Sequence, residues 1–135
     1  MLPTINDGLT ADFTVPDRQP SNTFKLHIDK NRCYGFTDEV DALVQAIFLM
    51  LSIDRYEYPI YSWNTGFESK DLIGKPMQYV ISEIKRRIPD CLLVDDRINA
   101  VENFEFNVVR KGILHVKCTV ISIYGDIEIE REVIY

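Results

Sequence analysis

The chain has 135 residues, with 15 lysines and arginines against 21 aspartates and glutamates, for a net charge of −6. Its 46% hydrophobic and 27% charged content is that of an ordinary globular domain, long enough to bury one core without disulfide or metal staples. The acidic balance argues against a non-specific nucleic-acid binder, which carries a basic stripe. No apolar run approaches the roughly 20 residues of a membrane span. Met1–Gly8 has neither a basic n-region nor an apolar h-region, so no secretory signal is expected and the chain reads as intracellular.

Residues 1–22 carry Pro3, Pro16 and Pro20, an Asn6-Asp7-Gly8 turn signal and no sustained periodicity. They read as an extended arm: either a tail, or, given Leu2, Ile5, Leu9, Phe13 and Val15, an arm that docks. From Thr23 the pattern becomes regular. Phe24, Leu26 and Ile28 alternate with polar residues, as in a half-buried strand, and Cys33–Phe36 returns as a second strand after a polar turn. Thr37 or Asp38 then caps a helix with acids in its first turn. Val40, Leu43, Val44, Ile47, Met50 and Leu51 form its stripe, and Phe48 and Leu49 widen it, which predicts burial on more than one side.

The stretch 55–76 holds three tyrosines, the only tryptophan, two glycines and two prolines without periodicity. Connections that long usually have a job. With only Arg55, Lys70 and Lys75 among its aromatics it is a poor nucleic-acid stacking platform, so core packing or a protein interface is the better reading. Pro76 opens a second helix, with Met77, Val80, Ile81, Ile84 and Ile88 on one face and Glu83, Lys85, Arg86 and Arg87 on the other. Pro89 predicts a kink or a broken turn there. Beyond it, three alternating segments separated by Arg110-Lys111-Gly112 and Tyr124-Gly125-Asp126 predict an antiparallel meander with one wet face. The fold class is therefore α+β: a small single domain over 23–135, an antiparallel sheet with two main helices packed on it, and the arm at 1–22.

Motifs for chemistry are sparse. There is no phosphate cradle, G-x-S-x-G or H-E-x-x-H. Cys33, Cys91 and Cys118 are widely spaced among apolar neighbours and read as small buried hydrophobes, with no zinc spacing to His27 or His115. Glu128, Glu130 and Glu132 share one strand face and nothing sets their pKa values apart, which argues against a hydrolase. Two features remain. Asp95-Asp96-Arg97 is either a helix-ending turn or an arginine held by acids for a carboxylate or carbonyl. The strand running to Tyr135 is either an edge for another chain to pair with or one guarded by its glutamates against pairing.

Several runs carry a resemblance: Tyr34-Gly35-Phe36, Arg55-Tyr56, Tyr61-Ser62-Trp63-Asn64-Thr65-Gly66, Asp71-Leu72-Ile73-Gly74-Lys75-Pro76 and Asp95-Asp96-Arg97-Ile98. Together they resemble the XkdS-type proteins of phages and defective prophages, over roughly 23–133. That group is similar in turn to the baseplate wedge, or sheath initiator, proteins of contractile tails. The wider family carries a glutamate-proline-arginine motif, whose matching positions here are Asp95, Asp96 and Arg97. The arginine is kept, the first acid is shortened and the proline is replaced.

The resemblance implies a structural baseplate component, present in multiple copies in a tail or tail-like particle assembled in the host cytoplasm. It implies wedge proteins, the sheath protein and the tube or hub as partners, with sheath assembly initiated by strand pairing. Neither catalysis, cofactor, metal, nucleic acid nor membrane is expected. The interface residues so selected are Trp63 and Asn64 in the loop, Asp95, Asp96 and Arg97, and Ile127, Ile129, Val133 and Tyr135. A cytoplasmic protein-binding adaptor on the same fold is the alternative.

Overall fold

The computed structural model describes residues 18–135. The arm at 1–22 therefore falls mostly outside the described residues. Only its end is seen, where the Ser21 and Tyr124 hydroxyls lie 2.7 Å apart. The elements run β1 (Thr23–His27), β2 (Arg32–Thr37), α1 (Glu39–Ser52), α2 (Met77–Leu92), β3 (Ile98–Arg110), β4 (Ile113–Ser122) and β5 (Gly125–Ile134). The strands form two antiparallel sheets, a β1–β2 hairpin and a β3–β4–β5 meander. Mixed α+β content, with two helices and antiparallel strands, is what the periodicity predicts.

β4 is the middle strand of the meander, and its Leu114, Val116, Cys118 and Val120 are all buried. They face the apolar stripes of Leu43, Ile47 and Leu51 on α1 and of Val80, Ile84, Ile88 and Leu92 on α2. The period of two in the strand and about 3.6 in the helices sets these rows against each other. Burial of each such side chain stabilises by about 1.5–3 kcal/mol.

Three expectations change at the edges of this core. The β1–β2 hairpin alternates as read, but it stands outside the core, with Phe24 and Phe36 stacked on each other at 5.1 Å and mostly exposed. Gln45 of α1 holds it, accepting from Leu26 N–H at 2.8 Å and donating to the Phe24 carbonyl at 2.9 Å. Cys33 is consequently exposed, whereas burial pushes the Cys91 and Cys118 thiols up to about 11. α1 is buried along one side only: Val40, Val44, Phe48 and Leu49 are between 37% and 47% exposed, because α2 and the sheet cover a single face.

α2 also departs from its pattern. It runs unbroken to Leu92 despite Pro89, whose missing N–H orphans a carbonyl at exposed Lys85, where water can reach it. Arg87 is buried rather than solvated. Its guanidinium donates to Asp71 Oδ1 and Oδ2 at 2.6 and 2.7 Å, to Glu83 Oε2 at 2.8 Å and to the Glu68 carbonyl at 3.1 Å. That fork ties the end of the aromatic loop to α2, so burial of the charge is compensated at nearly every donor.

The loop closes at its base through Phe67, whose N–H donates to the Ile53 carbonyl at 2.9 Å and whose ring is buried. Gly66 makes this approach possible. Its φ is +110°, and a Cβ there would sit 2.8 Å from the Ile53 carbonyl oxygen and 2.9 Å from the Arg55 backbone. Gly66→Ala is therefore expected to destabilise by about 2 kcal/mol or more. Urea unfolding would show this as a lower midpoint at unchanged slope.

Candidate interaction surfaces

Asp95, Asp96 and Arg97 form the tight connection from α2 into β3. The Asp95 N–H donates to the Leu92 carbonyl and the Ile98 N–H to the Asp95 carbonyl, both at 3.1 Å. Asp95 then turns its carboxylate onto Arg97. Oδ1 accepts from the Arg97 backbone N–H at 3.0 Å and from Nε at 2.9 Å, and Oδ2 accepts from Nη2 at 2.6 Å. Both side chains are largely shielded, at 13% and 14% exposure. Burial pushes the Asp95 carboxyl up, but the hydrogen bonds and charge of Arg97 outweigh it and hold the pKa below its ordinary 3.8. Asp96 is exposed beside this pair. Together they floor one end of a cleft of about 670 Å³ whose walls are Gln19–Thr23 and the Ala42–Met50 side of α1.

Trp63 and Asn64 occupy the centre of a turn closed by the Thr65 N–H on the Ser62 carbonyl at 3.0 Å. A second turn, with Pro59 after its first residue, closes from the Tyr61 N–H to the Tyr58 carbonyl at 3.2 Å. These turns lift Tyr56, Tyr58, Ile60, Tyr61 and Trp63 away from the core, with Trp63 81% exposed. Arg55 Nε braces them by donating to the Trp63 carbonyl at 2.8 Å. Of the loop's aromatics, only Phe67 serves the core.

β5 presents three separate things. Ile127, Ile129 and Val133 face inward, with Val133 fully buried, and Tyr135 packs against the same core. Their side chains are thus spent on the domain itself. The Tyr135 N–H donates to the Gly112 carbonyl at 3.0 Å. In this antiparallel register the odd-numbered residues of β5 therefore bond to β4. Asp126, Glu128, Glu130, Glu132 and Ile134 direct their backbone N–H and C=O to the outer side, where no strand is paired among the described residues.

On the wet face, Glu128, Glu130 and Glu132 stand opposite Thr119, Lys117 and His115 of β4, which in turn stand beside Glu102, Glu105 and Asn107 of β3. Lys117 Nζ reaches Glu128 at 2.9 Å and Glu130 at 3.9 Å. Its pKa is raised chiefly by the Glu128 hydrogen bond, with Glu130 and Glu105 adding to it. Inside, β5 and the exposed side of α1 enclose a groove of about 560 Å³, lined by Val44, Phe48, Ile129 and Arg131. Arg131 stacks over the Phe67 ring at 5.1 Å, and its Nε is out of solvent without an acceptor. The inward arginine was not read from the sequence, although its place in the β5 alternation marks it.

A family model for the contractile injection system sheath initiator matches residues 18–125. The chain belongs to the sheath initiator family. A curated relative, the phage-like element PBSX protein XkdS of Bacillus subtilis (strain 168), is 36% identical, covering 84% of this chain and 82% of its own length. The XkdS-type resemblance is thereby shown, and with it membership of a structural family of contractile phage tails and related injection systems. No helix among the described residues is long and apolar enough to cross a membrane.

Within this sheath initiator domain, Asp95 is coupled to Arg97 strongly enough to show in stability. Because the folded-state pKa is depressed, its contribution is complete above pH 3.8 and is lost as pH falls through the lower folded value. Arg97→Ala, which strands the carboxylate, is expected to cost about 1–3 kcal/mol at neutral pH. The gap between variant and wild type narrows on acidification below the ordinary carboxylate range, as thermal unfolding across pH would record.

Proposed function

We propose that the chain is a structural, non-catalytic component of a contractile-tail baseplate, joining wedge proteins around the tube and starting sheath assembly by strand pairing. The observation that carries this reading is the outer edge of β5, unpaired among the described residues, which offers a ladder of backbone donors and acceptors from Asp126 to Ile134. The exposed aromatic turns at Tyr56–Trp63 and the Asp96–Arg97 corner supply further contact area, with the aromatic and arginine enrichment typical of interfaces. The wedge proteins are the partners for those two surfaces and the sheath protein is the partner for the edge. In a symmetric particle, modest contacts suffice, since repeated copies multiply them.

Glu130 provides the test. Its backbone N–H points off the free edge, so Glu130→Pro removes a donor from the edge and leaves the β4 ladder intact. The purified variant is expected to fold, by circular dichroism and thermal unfolding close to wild type. In an induced host it is expected to give baseplate particles that lack sheath, seen by electron microscopy of co-purified material. Normal sheathed tails from a folded Glu130→Pro variant would overturn the strand-pairing role. Arg97→Ala is expected to remain folded yet to drop out of the wedge; its normal incorporation would remove that residue from the interface.

A further inference from the structure

We infer that the strand accepted by β5 is a basic one, with lysine or arginine at alternate positions on its outer face and apolar residues between them. This rests on β5 being a docking edge, and it specifies what the edge selects. An added strand places its outward side chains directly beside Glu128, Glu130 and Glu132, where cross-strand neighbours are about 4.5–5.5 Å apart at Cβ. Glu102 and Glu105 extend the same face, and Lys117 is its one lysine, already engaged by Glu128 and Glu130.

The inner side chains of the same strand would meet Val44 and Phe48 of α1 across the groove, which favours apolar residues there. A second copy of β5 is the wrong occupant, because its glutamates would oppose these glutamates at each outward position. The acidic row therefore has one consequence with two faces: it discourages self-pairing and it admits a strand of opposite charge.

The test uses the purified 135-residue chain and three short peptides. One alternates lysine and valine, a second alternates glutamate and valine, and a third has the lysines and valines in two blocks. Affinity is read by fluorescence anisotropy, and docking by amide exchange at Glu128, Glu130 and Glu132. The alternating lysine peptide is expected to bind at least about tenfold tighter than the glutamate peptide. It is also expected to outbind the block peptide and to slow exchange at those three amides, with the charge preference shrinking at high salt. Glu128→Gln, Glu130→Gln and Glu132→Gln combined should abolish the preference while keeping the fold.

Equal protection by the lysine and glutamate alternating peptides would overturn the charge selection and leave the docking edge standing. Equal binding by the block peptide, without slowed exchange, would reduce the effect to bulk charge and overturn the proposal. Failure of every peptide to slow those amides would overturn the edge itself.

Discussion

The burial of the β4 inner row against two helices is the interaction on which the rest of the protein depends. Leu114, Val116, Cys118 and Val120 lie at the centre of the sheet and meet the stripes of both α1 and α2. Because β4 is flanked by β3 and β5, its own hydrogen-bonding capacity is used on both sides. The consequence is an asymmetric domain. One sheet face is dry, the opposite face is wet and acidic, and β5 is left with a backbone row that pairs with no strand among the described residues.

A second constraint governs the aromatic loop. Phe67 enters the core and its N–H closes the loop's base on Ile53, which Gly66 lets it approach, while Arg87 holds the segment just beyond it through Glu68 and Asp71. With its base closed in this way, the turns at Tyr58–Tyr61 and Ser62–Thr65 between Ile53 and Phe67 project their aromatics without costing the core anything. A well-braced loop carrying exposed rings differs physically from an unfolded one: its side chains are presented with their ordering entropy already spent. The same holds at the α2–β3 corner, where Asp95 fixes the orientation of Arg97 within the domain.

The places where periodicity misled share a cause. Phe24, Leu26 and Ile28 alternate, and the strand exists, but alternation reports pairing and not what lies against either face. The wide stripe of α1 predicts burial on more than one side, whereas Val40, Val44 and Phe48 stay exposed because no element among the described residues covers them. Arg87 lies at a position shared by the polar and apolar rows of α2, and only the approach of Asp71 from the loop turns it inward. Pro89 is the exception, tolerated for a local reason, since the carbonyl it orphans belongs to exposed Lys85. In the other cases the missing information was the identity of a distant neighbour.

Local chemistry, then, determined the elements. Strand and helix periods, Pro76 and the glycine-bearing turns specify an α+β chain with a three-stranded meander, and residues 18–125 carry its kinship to the sheath initiators. Those features are encoded over a few residues each, so they survive without knowledge of the fold. Tertiary structure alone decided which apolar faces find cover and that β5 lies at the edge of the meander, with its even-numbered backbone groups unpaired among the described residues. The reason is physical: whether a side chain or a backbone amide is satisfied depends on groups brought from far along the chain. No stretch of sequence carries that by itself.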